Sequence, residues 1–96
     1  MKLIWSPRAR RDLRELIAYI AEDSPQNAEL VNARISKSAE LLCDMPYAGR
    51  TGRLLGTHER VVGRTPYILV YRIDSEQLYI LRVLRGARKW PRSFSS

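Results

Sequence analysis

The apolar residues of this chain change their spacing once, and that change fixes the order of its elements. Up to residue 45 they recur at helical intervals. Ala9, Leu13, Leu16, Ile17 and Ile20 form one stripe; Ala28, Val31, Ile35, Ala39 and Leu42, widened by Leu41 and Met45, form a second. A stripe at this spacing belongs to a helix with one buried face. From about Thr57 the period becomes two, the spacing of a strand with one buried side. Helices therefore come first and a run of strands follows.

The boundaries carry their own chemistry. Ser6-Pro7 and Ser24-Pro25 are both helix starts, with serine as N-cap and proline at the first helical position. The first helix is expected to end near Glu22-Asp23. The second is expected to run to about Asp44 and stop before Pro46. So short a connection makes the pair an antiparallel hairpin. Cys43, near its end, reads as a small apolar filler rather than a reactive thiol.

Four segments read as strands: Lys2 to Trp5, His58 to Val62, Tyr67 to Ile73, and Gln77 to Arg85. Residues 46–53, with two glycines and a proline, read as a loop, and residues 63–66 and 74–76 as turns. The order β-α-α-β-β-β predicts an α+β domain. Its helical hairpin packs on one face of a small, mainly antiparallel sheet, with the N-terminal strand beside one edge. The other sheet face is left for solvent or a ligand. Ninety-six residues suit a single domain over 1–96, with a frayed tail over 92–96. A domain this small has no room for a deep cofactor cavity, so function is expected on an open surface or shallow groove.

Charge divides the chain at the same place as the period. Residues 1–45 carry seven cations and seven acids; residues 46–96 carry ten cations and three acids, so the whole excess of +7 lies in the strand half. Nine of those ten cations are arginine, whose planar fork grips phosphate or carboxylate bidentately. The expected partner is a polyanion: RNA, DNA or an acidic protein segment. No apolar run is long enough to span a membrane, the N-terminus does not read as a secretory signal, and the one cysteine calls for no oxidising compartment. The expected location is the cytoplasm.

Several chemistries fail on inventory. One histidine and one cysteine make no zinc site, and no metal or cofactor is expected. Gly49 and Gly52 are not followed by the lysine of a phosphate loop, and no nucleophile elbow surrounds a serine. Cleavage of RNA by its own 2′-hydroxyl needs a proton acceptor, a proton donor and cations for the phosphorane. Arginines supply the cations. His58 and Glu59 are the titratable candidates in the basic half, with Tyr67, Tyr71 and Tyr79 behind them. His58 also reads as a rim residue and the tyrosines as sheet residues.

Read together, the basic strands are familiar. They comprise Gly49-Arg50-Thr51-Gly52-Arg53, Arg60-Val61-Val62, residues 66–73 with Tyr67 and Tyr71-Arg72, and residues 80–91 with Leu81-Arg82-Val83-Leu84-Arg85-Gly86-Ala87-Arg88-Lys89-Trp90-Pro91. With the opening Trp5-Ser6-Pro7 they resemble the RelE/ParE toxin superfamily over about residues 3–91. The resemblance implies the same β-α-α-β-β-β fold. It also implies a toxin of a bacterial type II toxin–antitoxin pair, wrapped by a small antitoxin with an acidic binding segment. RelE-like members are ribosome-dependent nucleases that cut mRNA; ParE-like members poison DNA gyrase and lack the nuclease residues. The sequence leans to the ParE-like side. Both helices are long, the segment after the last strand has no tyrosine, and Arg85 stands where relatives with this ending often carry histidine.

On that reading the protein is not an enzyme; on the RelE-like alternative it is an endoribonuclease using Arg60, Arg64, Arg82, Arg88 and His58. A third alternative is an antitoxin-binding module of weak or lost toxicity. The partner or nucleic-acid surface is expected to include Arg50, Arg53, Arg60, Arg64, Arg82, Arg85, Arg88, Lys89 and Trp90. Trp90 reads either as a stacking ring or as a cap on the core edge. Arg82 and Arg85, an odd number of residues apart, cannot face the same side of a regular strand.

Overall fold

A computed structural model describes residues 1–86. The elements are β1 (Lys2–Trp5), α1 (Pro7–Asp23), α2 (Pro25–Asp44), β2 (Arg50–Thr51), β3 (His58–Val61), β4 (Tyr67–Asp74) and β5 (Gln77–Arg85). Both Ser-Pro starts cap helices. Ser6 Oγ accepts from the Ala9 N–H at 3.0 Å and Ser24 Oγ from the Asn27 N–H at 3.1 Å. Ser24 also closes α1, its N–H donating to the Ile20 carbonyl. One residue thus ends the first helix and begins the second, which makes the hairpin tight.

The sheet order is β1-β5-β4-β3-β2. The meander is antiparallel, and β1 joins β5 in parallel at one edge, with Trp5 opposite Ile80. The expected α+β architecture holds, with a mixed five-stranded sheet. The extra strand is β2, inside the segment expected to be a loop. Two residues are too few to show a period. Arg50 pairs with Glu59 and Thr51 with His58, and the Gly52 N–H closes the turn on the Thr57 carbonyl at 2.8 Å.

Val31, Ile35, Ala39 and Leu42 of α2 meet Leu69, Tyr71, Leu78, Ile80 and Val83 of the sheet in one buried cluster, with Leu13, Leu16, Ile17 and Ile20 of α1 against it. The opposite sheet face is not simply open, as expected. Ile68, Val70 and Leu84 form a second buried cluster there. The unbroken apolar run Ile68-Leu69-Val70 supplies both faces, because successive side chains alternate.

The β4–β5 register slips between Val70 and Tyr71, and Leu81 is left without a partner opposite. The irregularity is used. Ser6 N–H donates to the Ile80 carbonyl at 2.9 Å and Ser6 Oγ to the Leu81 carbonyl at 3.0 Å. The cap of α1 is thereby pinned to the bulge in β5.

Candidate functional site

Among the described residues, Arg50, Arg53 and Arg82 of the strand half enter two internal ion-pair assemblies. The first assembly centres on Glu59 of β3, which is 2% exposed. Arg50 donates Nη2 to Glu59 Oε1 at 3.0 Å. Arg53 donates its main-chain N–H to Oε2 at 2.7 Å and Nε to the same oxygen at 3.2 Å. Burial alone would raise the Glu59 pKa, but the Arg53 and Arg50 donors hold it below the ordinary carboxylate value. The strand places Glu59 on the face away from the helices, opposite Val70, and the hairpin of residues 50–57 folds its two arginines over it. Gly49 and Gly52 permit this, since a Cβ at Gly49 would run into Tyr71 and the Glu59 carbonyl, and one at Gly52 into Thr57.

The second assembly joins α1 to β5. Asp12 takes Arg82 Nε on Oδ2 at 2.7 Å and Nη2 on Oδ1 at 3.1 Å. It also accepts the Val83 N–H at 3.0 Å, just past the bulge. Side-chain exposures of 9% for Asp12 and 12% for Arg82 make this a largely desolvated pair. Beside it is a hollow of ≈ 610 Å³ lined by Arg8, Glu15, Leu16, Tyr19, Tyr67 and Arg85 among others. Arg82 and Arg85 both border it, and the register slip lies just before Arg82, with regular pairing to β4 from Arg82 to Arg85.

The remaining candidates lie on and after β3. His58 stacks on Tyr71 with centroids 5.3 Å apart and meets the exposed Tyr47 ring nearly at right angles, 5.8 Å away. Tyr71 is fully buried, donates its hydroxyl to the Pro46 carbonyl at 2.7 Å and accepts the Gly49 N–H at 3.1 Å. Burial pushes its pKa up. Arg60 is exposed and donates Nη1 to the Ala48 carbonyl at 3.3 Å. Arg64 is exposed at the β3–β4 turn with φ 62°, and its carbonyl accepts Nη1 of Arg34 at 3.5 Å.

Sequence reasoning grouped Arg50, Arg53, Arg60, Arg64, Arg82 and Arg85 as one surface. The structure divides them. Arg50 and Arg53 close on Glu59, Arg82 on Asp12, and Arg85 borders the hollow by α1. Arg88, Lys89 and Trp90, and the expected frayed tail over 92–96, lie outside the described residues. Asp12, on α1, turns its carboxylate in to β5. Missed altogether were Asp12 as an anchor, Tyr71 as a tether of the 46–49 segment, and Arg34 beside Arg64. Spacing and charge do not set Asp12 apart from the other six acids of its half. Cys43 is half-buried, its pKa raised by that burial, in keeping with a packing role. No described helix is long and apolar enough to cross a membrane.

Comparison with known proteins places this geometry. Residues 3–90 match the family model described as the ParE toxin of the type II toxin–antitoxin system, parDE. The chain is 41% identical over 90 residues to Y4kP of Sinorhizobium fredii, covering 94% of this chain and 93% of that protein. It is 29% identical over 87 residues to the toxin RelE2 of Caulobacter vibrioides, covering 91% and 97%. A solved structure of the chromosomal ParDE system from P. aeruginosa superposes with a TM-score of 0.78 at 25% identity, over 88% of this chain and 95% of that one.

Proposed function

The chain belongs to the ParE toxin family of type II toxin–antitoxin systems, and we propose that it is held by an acidic antitoxin and, once released, arrests growth by inhibiting DNA gyrase through binding alone. The observation that supports this reading is the use made of Arg82. A phosphate clamp needs a guanidinium whose charge is offered to the substrate. Arg82 instead forms a bidentate pair with Asp12 in a largely desolvated setting. His58, the imidazole of the basic half, lies between two tyrosine rings. An arrangement of this kind suits recognition of a partner surface better than proton transfer. The ParDE neighbour supports an antitoxin partner, and the excess charge of the strand half suits an acidic one.

A ribonuclease reading keeps one specific support, the similarity to the toxins RelE2 and RelE1 of Caulobacter vibrioides. One experiment separates the readings. The chain is induced without antitoxin, mRNA 5′ ends are mapped within minutes, and purified protein is added to a gyrase supercoiling assay. Loss of supercoiling with an unchanged map is expected. New 5′ ends at fixed codon positions would assign a ribosome-dependent nuclease instead. Normal growth with both assays unaffected would leave a bare antitoxin-binding module.

A further inference from the structure

The sheet ends in an open edge at β1, in the half of the chain that carries no net charge. β5 is the one neighbour of β1, so the other side of β1 is unpaired among the described residues. The main-chain N–H groups of Lys2 and Ser6 turn inward, donating to the Glu76 and Ile80 carbonyls at 2.8 and 2.9 Å. Backbone groups alternate sides along a strand, so the main-chain N–H groups of Leu3 and Trp5 point outward. A row of unpaired donors and acceptors is a template for another strand. The opposite edge offers less, because β2 is two residues long and carries Arg50, which is paired with Glu59.

A hollow opens beside the same edge, on the helix side. Its volume is ≈ 400 Å³, and its lining includes Leu3, Trp5 and Leu13 together with Arg10, Arg14 and Glu40. Leu3 and Trp5 are half-buried, packing against the main core and also lining the hollow. Among the described residues Arg10, Arg14 and Glu40 enter no ion pair, although both signs line the one hollow. An apolar floor with unpaired charges of both signs is self-complementary, which is what a two-fold interface between identical chains requires.

We propose that a second copy of this chain docks at this edge, its β1 antiparallel to the first, so that the two five-stranded sheets become one. A two-fold axis normal to the sheet runs the strands antiparallel and keeps both helical hairpins on the same face. The two hollows then meet, apolar floor to apolar floor, and Glu40 of each copy faces the α1 arginines of the other. Charge selects this occupant. Two chains of net charge +7 repel one another wherever their strand halves approach. Residues 1–45 carry seven cations and seven acids, and they supply β1 and both helices. Joining the copies at β1 therefore brings neutral halves together and leaves β2 and β3, with Arg50 and Arg60, at the two far ends. Neither an antitoxin nor a cellular target is needed for the pairing.

The test uses the full chain alone, in sedimentation equilibrium up to about 100 µM, where small interfaces become populated, with amide exchange followed by NMR. The wild-type mass is expected to double with rising concentration, and the Leu3 and Trp5 main-chain amides to exchange more slowly as it does. Arg14→Glu or Glu40→Arg alone is expected to weaken association by about tenfold, since symmetry sets like charges together at two contacts. The two combined exchange the signs and are expected to restore association. The control Arg11→Glu, on α1 but outside the hollow, is expected to change it little. All three positions are exposed, and thermal melts check that each variant is folded. A wild-type chain that stays monomeric would overturn the proposal, as would a dimer whose Leu3 and Trp5 amides exchange at the monomer's rate. An equal loss in Arg11→Glu, or a combined variant that does not regain association, would overturn it too.

Discussion

At the scale of single residues, two buried polar groups on neighbouring strands do most to shape the basic half. Glu59 gathers five donor groups from Arg50 and Arg53. Its pKa is lowered in the folded chain, so its stabilising contribution is present above the ordinary carboxyl value of 4.5 and is lost as pH falls through the lower folded value. Wild type should therefore lose stability below about pH 4.5 in part through this group, and Glu59→Gln should show a flatter acid limb in pH-dependent thermal melts. At neutral pH the same variant should cost about 1–2 kcal/mol, because the charge-assisted bonds weaken while the shape is kept. The arginines themselves are half-exposed and add little once water can reach them. Tyr71→Phe removes the hydroxyl that bridges Pro46 and Gly49. It should cost about 1–3 kcal/mol by chemical denaturation, since two main-chain groups lose a buried partner. Neither role was legible in the sequence. Tyr71 read as one more sheet residue, and Glu59 as a titratable neighbour of His58, because a carboxylate's burial depends on which loop folds over it.

At the scale of elements, the contact between α1 and β5 is where sequence reasoning stopped short. The helices, the meander and an edge place for the N-terminal strand could be read from period, caps and turns, because each is set by local chemistry, whereas its parallel pairing with β5 could not. The bulge at Leu81 could not, since nothing in Ile80-Leu81-Arg82-Val83 distinguishes a slipped register from a regular one. The slip lets one carboxylate on α1, Asp12, hold both the Arg82 fork and the Val83 N–H, while Ser6 caps the helix and bonds the bulge. Asp12→Ala should therefore destabilise by about 3 kcal/mol, because it strands a largely desolvated guanidinium and a main-chain donor. Removing both charges with Asp12→Leu and Arg82→Met should cost less than Asp12→Leu plus Arg82→Met measured singly. A double-mutant cycle in urea checks this, and additivity would mean that the pair is not coupled.

At the scale of the whole molecule, a neutral helical half and a strand half carrying the entire +7 form one sheet-and-hairpin body. Glu59 and Asp12 offset two of the three arginine charges paired with them, and the exposed Arg60 and Arg64, with Arg34 from the neutral half, add to an outward field that stays positive. A partner approaching that surface is steered by long-range charge before it makes contact, and steering of this kind weakens as the Debye length shrinks from about 10 Å at 0.1 M salt to about 3 Å at 1 M. Association with an acidic partner should accordingly slow by about an order of magnitude over that range, with dissociation changing much less. Charge reversal on β3 and the turn after it, Arg60→Glu with Arg64→Glu, should lower the association rate and flatten its salt dependence. The paired Asp12→Leu and Arg82→Met change is net-neutral and should leave both nearly untouched. Stopped-flow association across a salt series reads all three proteins. An identical salt slope in the charge-reversed variant and the wild type would place the steering charge elsewhere on the molecule.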